Sequence, residues 1–259
     1  MVGAFKVVIP ARYASTRLPG KPLMSIAGKP LILHVCDRAL EANAEEVVVA
    51  TDDQRIYQTV IAAGVSAVMT RKDHNNGTER IAEVAKICAW NSADIVVNLQ
   101  GDEPLVPSSV ISDLAMGIMT QSLASVATLA TPILQGPDVF NSNIVKVVID
   151  QQGFALYFSR APIPWDRDHF GQTAVIGDLG KWYMRHIGLY AYSVGFLSRY
   201  TEWKPCVLES VELLEQLRIL WHGERVKVIK VDEAPEAGVD TEDDLKRVDS
   251  RIRNGLKDR

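Results

Sequence analysis

Short apolar runs alternate with longer amphipathic segments along the N-terminal part of the chain. The apolar runs, which are short enough to form buried strands, cover residues 5–9, 46–50 and 94–99. The intervening segments, which place apolar side chains at helical spacing and hold few helix-breaking residues, cover residues 30–43, 54–63 and 78–90. Alternation of this kind predicts an α/β fold with a doubly wound, mostly parallel sheet.

The pattern changes between about residues 142 and 192. Two apolar stretches, residues 145–149 and 155–159, flank the turn-forming dipeptide Gln152-Gly153, which predicts a β-hairpin. A further strand is predicted at residues 186–192. We therefore expect one domain over residues 1–259, in which residues 142–192 form a smaller β insertion that covers a substrate or another subunit.

The C-terminal part of the chain returns to alternating elements. Residues 208–220 predict one helix and residues 225–231 predict a strand. A final helix is expected to begin after Thr241, which is a favourable N-cap residue, with Asp244 in its first turn.

Composition narrows the classes of function. The formal net charge of -4 gives no broad basic field, so we expect no nucleic-acid partner. No apolar run approaches the roughly 20 residues needed to span a bilayer, and the N-terminal residues lack the features of a secretory signal. We expect a cytoplasmic protein that does not enter the membrane. Its three cysteines form no CxxC pair and are interpreted as buried thiols.

A cation-rich loop follows the first predicted strand. Arg12, Arg17 and Lys21 lie within ten positions at the carboxyl end of that strand, where ligands bind in open α/β sheets. Two guanidinium groups and an ammonium suit the oxygens of a triphosphate, although solvated loop cations are the alternative. The loop matches neither the Walker A motif nor the G-x-G-x-x-G fingerprint, which disfavours a P-loop ATPase and a nicotinamide enzyme.

Two aspartates at predicted strand ends are candidate magnesium ligands. Asp102 follows the third strand and Asp240 precedes the final helix, and magnesium prefers such oxygen ligands together with nucleotide phosphates. The alternatives are a turn or cap role for Asp102 and a helix cap for Asp240. The pair Asp52-Asp53 resembles a glycosyltransferase metal motif, but we favour a helix N-cap there. Gln100 lies where it can bind a sugar hydroxyl.

Several segments together resemble one enzyme family. Residues 9–23 read IPARYASTRLPGKPL and residues 100–104 read QGDEP, as in the 3-deoxy-manno-octulosonate cytidylyltransferases, or CMP-Kdo synthetases. Further segments in the same order also match; they are residues 155–161, 163–168, 186–190, 214–218 and 238–241. The resemblance covers nearly the whole chain and implies a Rossmann-like nucleotidyltransferase sheet.

The resemblance implies an enzyme that uses CTP and Mg²⁺ to activate Kdo, an acidic eight-carbon sugar, for lipopolysaccharide. It also implies a homodimer, with the β insertion used for sugar binding and dimerisation. The implied nucleotide-binding residues are Ala11, Arg12, Ser15, Arg17, Lys21, Arg71, Asn76 and Gly77. The implied sugar-binding residues are Gln100, Arg160, His186, Tyr190, Glu215 and Gln216. The implied catalytic residues are Arg12 and Lys21 with the metal ligands Asp102 and Asp240.

Some of these roles can be weighed from the residues themselves. In a strand, His186 and Tyr190 face the same way, which suits either one pocket or ordinary packing. On a continuous helix over residues 208–220, Glu215 lies on an apolar flank, where an acid needs a ligand or a buried ion pair. Asn76 departs from the serine that is usual in the family, which leaves the contact to the nucleotide base open.

Three rival functions follow from the same residues. The nearest rival is a cytidylyltransferase for a related ulosonic acid, such as 8-amino-Kdo or a sialic-acid-like sugar. A metal-dependent glycosyltransferase that uses Asp52-Asp53 is more distant, and the cationic loop argues against it. A regulator with a degenerate nucleotide site is the third rival, and the complete set of loop cations and aspartates argues against that role.

Overall fold

The computed structural model describes residues 4–14, 18–74, 76–121, 123–168, 170, 179 and 182–257. Its strands are β1 Lys6–Ala11, β2 Ser25–Ile26, β3 Lys29–Pro30, β4 Glu46–Thr51, β5 Ser66–Met69, β6 Ile95–Asn98, β7 Val126–Pro132, β8 Lys146–Ile149, β9 Ala155–Ser159, β10 Met184–Ser193 and β11 Val226–Lys230. Its α-helices are α1 Leu31–Glu41, α2 Gln54–Ala62, α3 Gly77–Ile87, α4 Ser108–Met119, α5 Gly136–Phe140, α6 Val194–Tyr200, α7 Val207–Glu212, α8 Gln216–Trp221 and α9 Glu242–Lys257.

The chain divides into two compact units. The first unit comprises Met1–Met116, Ala191–Thr201 and Pro235–Arg259, and the second comprises Gly117–Tyr190 and Glu202–Ala234. The second unit is therefore larger than the β insertion expected from the sequence.

The first unit is built on parallel strands in the order β6-β1-β4-β5. In β1, which lies between β6 and β4, Val8 pairs with Val48 of β4 and with Asn98 of β6. Strands β1, β4 and β6 are almost entirely buried because helices α1, α2 and α3 pack against them, which explains their continuous apolar runs. The predicted parallel α/β fold is confirmed.

The second unit combines parallel and antiparallel pairing. Strands β7 and β11 run parallel, with Val126 opposite Val226. Strands β8 and β9 form the antiparallel hairpin predicted around Gln152-Gly153, and β10 pairs antiparallel with β8. Gly153 has a φ of 80°, which explains the glycine at this turn.

The predicted single helix over residues 208–220 is wrong. The structure has two short helices there, because Leu213 adopts a left-handed conformation with φ 53° and ψ 49° and ends α7. Leu214 and Leu217 are buried while Val211 is 75% exposed. Strands β5 and β7 and helix α4 were not predicted from the sequence.

Two further sequence expectations concern thiols and membranes. Cys36 and Cys206 are buried free thiols, as expected, whereas Cys88 is only half-buried. Burial raises the pKa of Cys36 to about 12. Within the described ranges, no helix is both long and apolar enough to cross a bilayer.

Candidate functional site

Lys21 joins both predicted metal-ligand aspartates. Its Nζ donates to Asp102 Oδ2 at 2.6 Å, to Asp240 Oδ1 at 3.2 Å and to the carbonyl oxygen of Val239 at 2.7 Å. The Lys21 side chain is only 11% exposed, whereas the Asp102 and Asp240 side chains are 32% and 47% exposed. Three residues from distant parts of the sequence therefore converge on one partly open site, as predicted from their positions at strand ends.

The loop that carries Lys21 is fixed by its backbone and by the core. Gly20 has a φ of 72° and donates its backbone N–H to the Tyr13 carbonyl at 2.9 Å, which places Lys21 at the start of a short 3-10 turn. The apolar cluster that anchors this loop to α1, α9 and the segment before α9 comprises Leu18, Ile26, Leu31, Val239 and Val248. Burial of these side chains holds the loop that carries Lys21 against the segment before α9.

Two glycines permit the close approach of the three site loops. A Cβ atom on Gly101 would lie 2.7 Å from the Pro10 carbonyl oxygen, and one on Gly238 would lie 2.6 Å from the Asp102 carbonyl oxygen. The Val239 backbone N–H donates to that same Asp102 oxygen at 2.9 Å. The segment before α9 is therefore in direct contact with the loop after β6, and this contact requires glycine at position 238.

Thr241 and Asp244 cap the start of α9. The Thr241 hydroxyl accepts from the Asp244 backbone N–H at 3.2 Å, and Asp244 Oδ2 accepts from the Thr241 backbone N–H at 3.0 Å. This reciprocal pattern is a capping box, so the predicted N-cap role of Thr241 is confirmed. The Thr241 hydroxyl bond is the main cause that lowers the pKa of Asp244 to about 2, with Arg247 contributing.

Glu103 is a site residue that the sequence reasoning missed. It lines a cavity of about 140 Å³ together with Asp102, Ala237, Gly238, Val239, Asp240 and Asp244. Burial, followed by repulsion from Asp102 and Asp240, raises the pKa of Glu103 to about 7. The only sequence signal was its place next to Asp102 in the QGDEP motif. A cavity lined by this many acids favours a cation.

The donor set is compatible with magnesium. Two carboxylate oxygens already approach one cationic centre, the Lys21 ammonium, within 3.2 Å. Magnesium usually needs only one or two protein carboxylates, with phosphates and water completing its shell. In the part of the chain that the structure describes, no group of three or more His, Cys, Asp or Glu side chains is arranged to hold a metal. The pair Asp102 and Asp240 therefore stays a prediction.

The remaining residues of the cationic loop are less closely connected. Arg12 Nη2 donates to the backbone carbonyl of His74, so this guanidinium contacts the segment before α3. Ala11 is buried at the end of β1. Ser15 and Arg17 lie outside the described residues. The structure thus brings Lys21 together with the aspartates and places Arg12 against the segment predicted to border the base.

Residues predicted on the cytidine side surround the start of α3. The Asn76 side-chain oxygen accepts from the Glu79 backbone N–H at 2.9 Å and caps the helix. Serine fills this role equally well, which explains why asparagine is acceptable here. Gly77 is the first residue of α3, and a Cβ on it would lie 3.9 Å from Gln100 Nε2. The Arg71 side chain is 66% exposed.

Protein groups bind both carboxylates of the Asp52-Asp53 pair. Asp53 accepts from the Arg55 backbone N–H at 2.9 Å and caps α2, as predicted. Asp52 instead forms a 2.9 Å ion pair with the fully buried Arg80, so the predicted cap role is wrong for Asp52. A carboxylate committed to a buried guanidinium is a poor metal ligand, which weakens the glycosyltransferase interpretation.

Five of the six predicted sugar-binding residues lie in the second unit; they are Arg160, His186, Tyr190, Glu215 and Gln216. The sixth, Gln100, lies in the first unit and donates to Asn98 Oδ1 at 3.2 Å. His186 and Tyr190 share one face of β10, with ring centroids 5.6 Å apart, as expected for residues four positions apart in a strand.

The Arg160 guanidinium is held by uncharged acceptors. Its Nε donates to the Glu212 carbonyl oxygen at 2.8 Å and its Nη1 donates to the Ser142 carbonyl oxygen at 3.0 Å. The Glu212 carboxylate binds the backbone N–H of Arg160 at 2.9 Å, and the buried Lys146 donates to the Arg160 carbonyl oxygen at 2.6 Å. The guanidinium is therefore oriented by carbonyl groups that do not neutralise its charge, which suits an acidic ligand.

Glu215 does not lie on the apolar helix flank expected from the sequence. Glu215 lies at the junction between α7 and α8, and Val211, which was expected beside it on that flank, is exposed. Gln216 is the first residue of α8 and is 4% exposed.

Comparison with known proteins identifies the family of this chain and supports its fold. A family model described as cytidylyltransferase matches residues 6–226. The structure of a CMP:2-keto-3-deoxy-manno-octonic acid synthetase complexed with CTP is 41% identical and superposes with a TM-score of 0.87, covering 98% of this chain and 100% of that one. A cytidylyltransferase from Leptospira borgpetersenii serovar Hardjo-bovis (strain JB197) is 17% identical, with a TM-score of 0.61 and coverage of 97% and 88%; it supports the fold alone.

Proposed function

The chain belongs to the cytidylyltransferase family, and we propose that it transfers CMP from CTP to the anomeric hydroxyl of Kdo, giving CMP-Kdo and pyrophosphate. The observation that carries the proposal is the full-length similarity to the CTP-bound synthetase. We further propose that the enzyme depends on magnesium, acts as a homodimer in the cytoplasm and supplies CMP-Kdo for lipopolysaccharide.

The proposed reaction is an in-line attack of the sugar hydroxyl on the α-phosphorus of CTP. Little covalent chemistry then falls to the protein, because positioning and neutralisation of phosphate charge dominate phosphoryl and nucleotidyl transfer. Arg12 and Lys21 bind triphosphate oxygens in this proposal and stabilise the departing pyrophosphate.

Asp102 and Asp240 are the proposed ligands of the magnesium ion. When bound, magnesium would lower the pKa of the attacking hydroxyl and neutralise phosphate charge. Support comes from the approach of both carboxylates to one cationic centre, at 2.6 Å and 3.2 Å from Lys21 Nζ. Glu103 lines the same cavity, and a bound cation would favour its ionised form over the neutral form that burial favours.

Arg160 is the proposed partner of the sugar carboxylate. Its guanidinium is oriented by two carbonyl groups, and the planar shape of a guanidinium matches that of a carboxylate. His186, Tyr190, Glu215, Gln216 and Gln100 are the other proposed sugar contacts.

The decisive experiment measures pyrophosphate release from the purified protein with magnesium. Each nucleoside triphosphate is combined with Kdo, 8-amino-Kdo or a sialic acid, and a sugar-free sample reports hydrolysis alone. We expect release with CTP and Kdo only. Release with another sugar and not with Kdo would reassign the substrate, and the absence of sugar-dependent release with any pair would refute the transferase function.

A further inference from the structure

Thr128 is a buried residue of β7 that binds the imidazole of His186. Its Oγ1 lies 2.9 Å from His186 Nε2, 2.8 Å from the Leu189 carbonyl oxygen and 3.1 Å from the Ile187 carbonyl oxygen. The Thr128 side chain is fully buried within the second unit, so this hydroxyl is bound by protein groups.

The proton count at this hydroxyl favours one position for the proton on the imidazole. A threonine hydroxyl has one proton to donate, and backbone carbonyl oxygens can only accept. If this proton goes to a carbonyl, Nε2–H donates to Oγ1 and the hydroxyl makes two hydrogen bonds. If it goes instead to the lone pair of Nε2, both carbonyl oxygens face hydroxyl lone pairs at 2.8 Å and 3.1 Å with no proton between them, so the Nε2–H tautomer is favoured.

The surroundings of His186 keep its ring neutral. Burial lowers the pKa of His186 to about 3, and the Phe158 ring packs edge-on against it with centroids 4.9 Å apart. A neutral imidazole with its proton on Nε2 carries a lone pair on Nδ1. Among the residues that the structure describes, Nδ1 accepts no hydrogen bond from the protein.

We propose that Thr128 is a positioning residue that holds His186 as the Nε2–H tautomer, so that Nδ1 accepts a hydrogen bond from a hydroxyl of the bound sugar. This role rests on the proposed function for its ligand, while the tautomer rests on the protein alone. His186 then selects a hydrogen-bond donor at one position of the sugar, because a group that can only accept would meet the Nδ1 lone pair.

The tautomer is tested by nitrogen-15 NMR of the imidazole rings in the ligand-free protein. The two ring nitrogens of each histidine give distinct signals, and His186→Gln identifies those of His186. In the wild type we expect a protonated Nε2 and an unprotonated Nδ1 that do not change between about pH 5 and pH 8, because the folded pKa is far below this window. A wild-type ring protonated on Nδ1 would overturn the proposal.

Thr128→Val tests whether Thr128 is the cause. Valine keeps the shape but removes the acceptor, so we expect a mixture of tautomers and a KM for Kdo raised about five- to tenfold, the size of one lost hydrogen bond. The KM for CTP should not change. Thr128→Ser should restore the wild-type ring signals, and this variant keeps the test usable if the valine variant folds poorly.

Thr131→Val is the matched control, because Thr131 is another buried threonine of β7 whose hydroxyl donates to the Asp232 carbonyl at 3.2 Å. It should leave the His186 signals and the KM for Kdo unchanged. Unaltered ring signals in Thr128→Val, or an unaltered KM for Kdo where Kdo is turned over, would contradict the proposal. If Kdo is not turned over at all, the proposed function fails while the ring signals still decide the tautomer.

Discussion

Replacing Gly238 with alanine tests the contact that brings the site loops together. The new Cβ would lie 2.6 Å from the Asp102 carbonyl oxygen, about 0.8 Å short of the 3.4 Å at which ordinary van der Waals contact begins. It would also lie 3.2 Å from Glu103 Cδ. The Glu103 side chain can turn aside, but the Asp102 carbonyl is backbone, so one of the two loops must move.

The expected cost follows from that displacement. Overpacking of a well-packed site typically lowers the free energy of unfolding by about 1–3 kcal/mol. Asp240 is only two residues from the substitution, and its Oδ1 lies 3.2 Å from Lys21 Nζ in the present arrangement. Because a displacement of about 1 Å can cost about a hundredfold in rate, we expect turnover to fall roughly ten- to a hundredfold, more than the stability loss alone explains.

Two measurements separate these effects. Denaturant unfolding gives the change in stability, and pyrophosphate release with CTP and Kdo gives turnover at a temperature where both proteins are folded. Gly255→Ala is the matched control, because Gly255 is an exposed residue of α9 with open space around it. That variant should be slightly more stable and equally active. A Gly238→Ala protein with wild-type stability and turnover would refute the described contact between the loops.

Three further predictions concern charge. Asp102→Ala should reduce turnover at least about a hundredfold while the protein stays folded, the scale of one lost electrostatic element, and near-normal pyrophosphate release would rule out its role. Lys21→Met leaves Asp102 and Asp240 without their shared cation, so we expect a lower melting temperature in EDTA and a larger rise on adding Mg²⁺ than in the wild type; equal rises in both proteins would contradict it. The folded pKa of His186 is about 3, below its unfolded value near 6.5, so the unfolded chain binds the proton first as pH falls. The free energy of unfolding should therefore drop by roughly 1–2 kcal/mol between pH 7 and pH 5, and His186→Gln should flatten this drop in denaturant titrations.

The spacing of apolar residues predicted those strands and helices whose sequence pattern matches the side-chain burial they have in the fold. Strand β1 and the β8–β9 hairpin were found because a buried parallel strand and a turn glycine leave clear signals. The break between α7 and α8 was missed because nothing in the sequence marks Leu213 as left-handed. The segment that forms β7, with the sequence VATLATP, shows no alternation of apolar and polar residues, and periodicity alone does not distinguish such a run from a helix segment.

The sequence predicted those residues of the candidate site that lie in loops at the ends of predicted strands. Lys21, Asp102 and Asp240 were found in this way because open α/β sheets place such loops at one edge. Glu103 was not, because its raised pKa depends on burial. Thr128 was not, because it lies within an apolar strand and its partner is 58 positions away.

The two cations Lys21 and Arg160 show why partner type matters more than formal charge. Lys21 contacts two carboxylates, so its charge is largely compensated within the first unit. Arg160 has two side-chain bonds to carbonyl oxygens, which orient the guanidinium without themselves carrying a negative charge. An oriented guanidinium with donors to spare is complementary to a carboxylate, whereas a lysine compensated by aspartates is complementary to a site where further cations and phosphates assemble. The sequence contains both positive charges, but their different roles follow only from the oxygen atoms that the fold places around them.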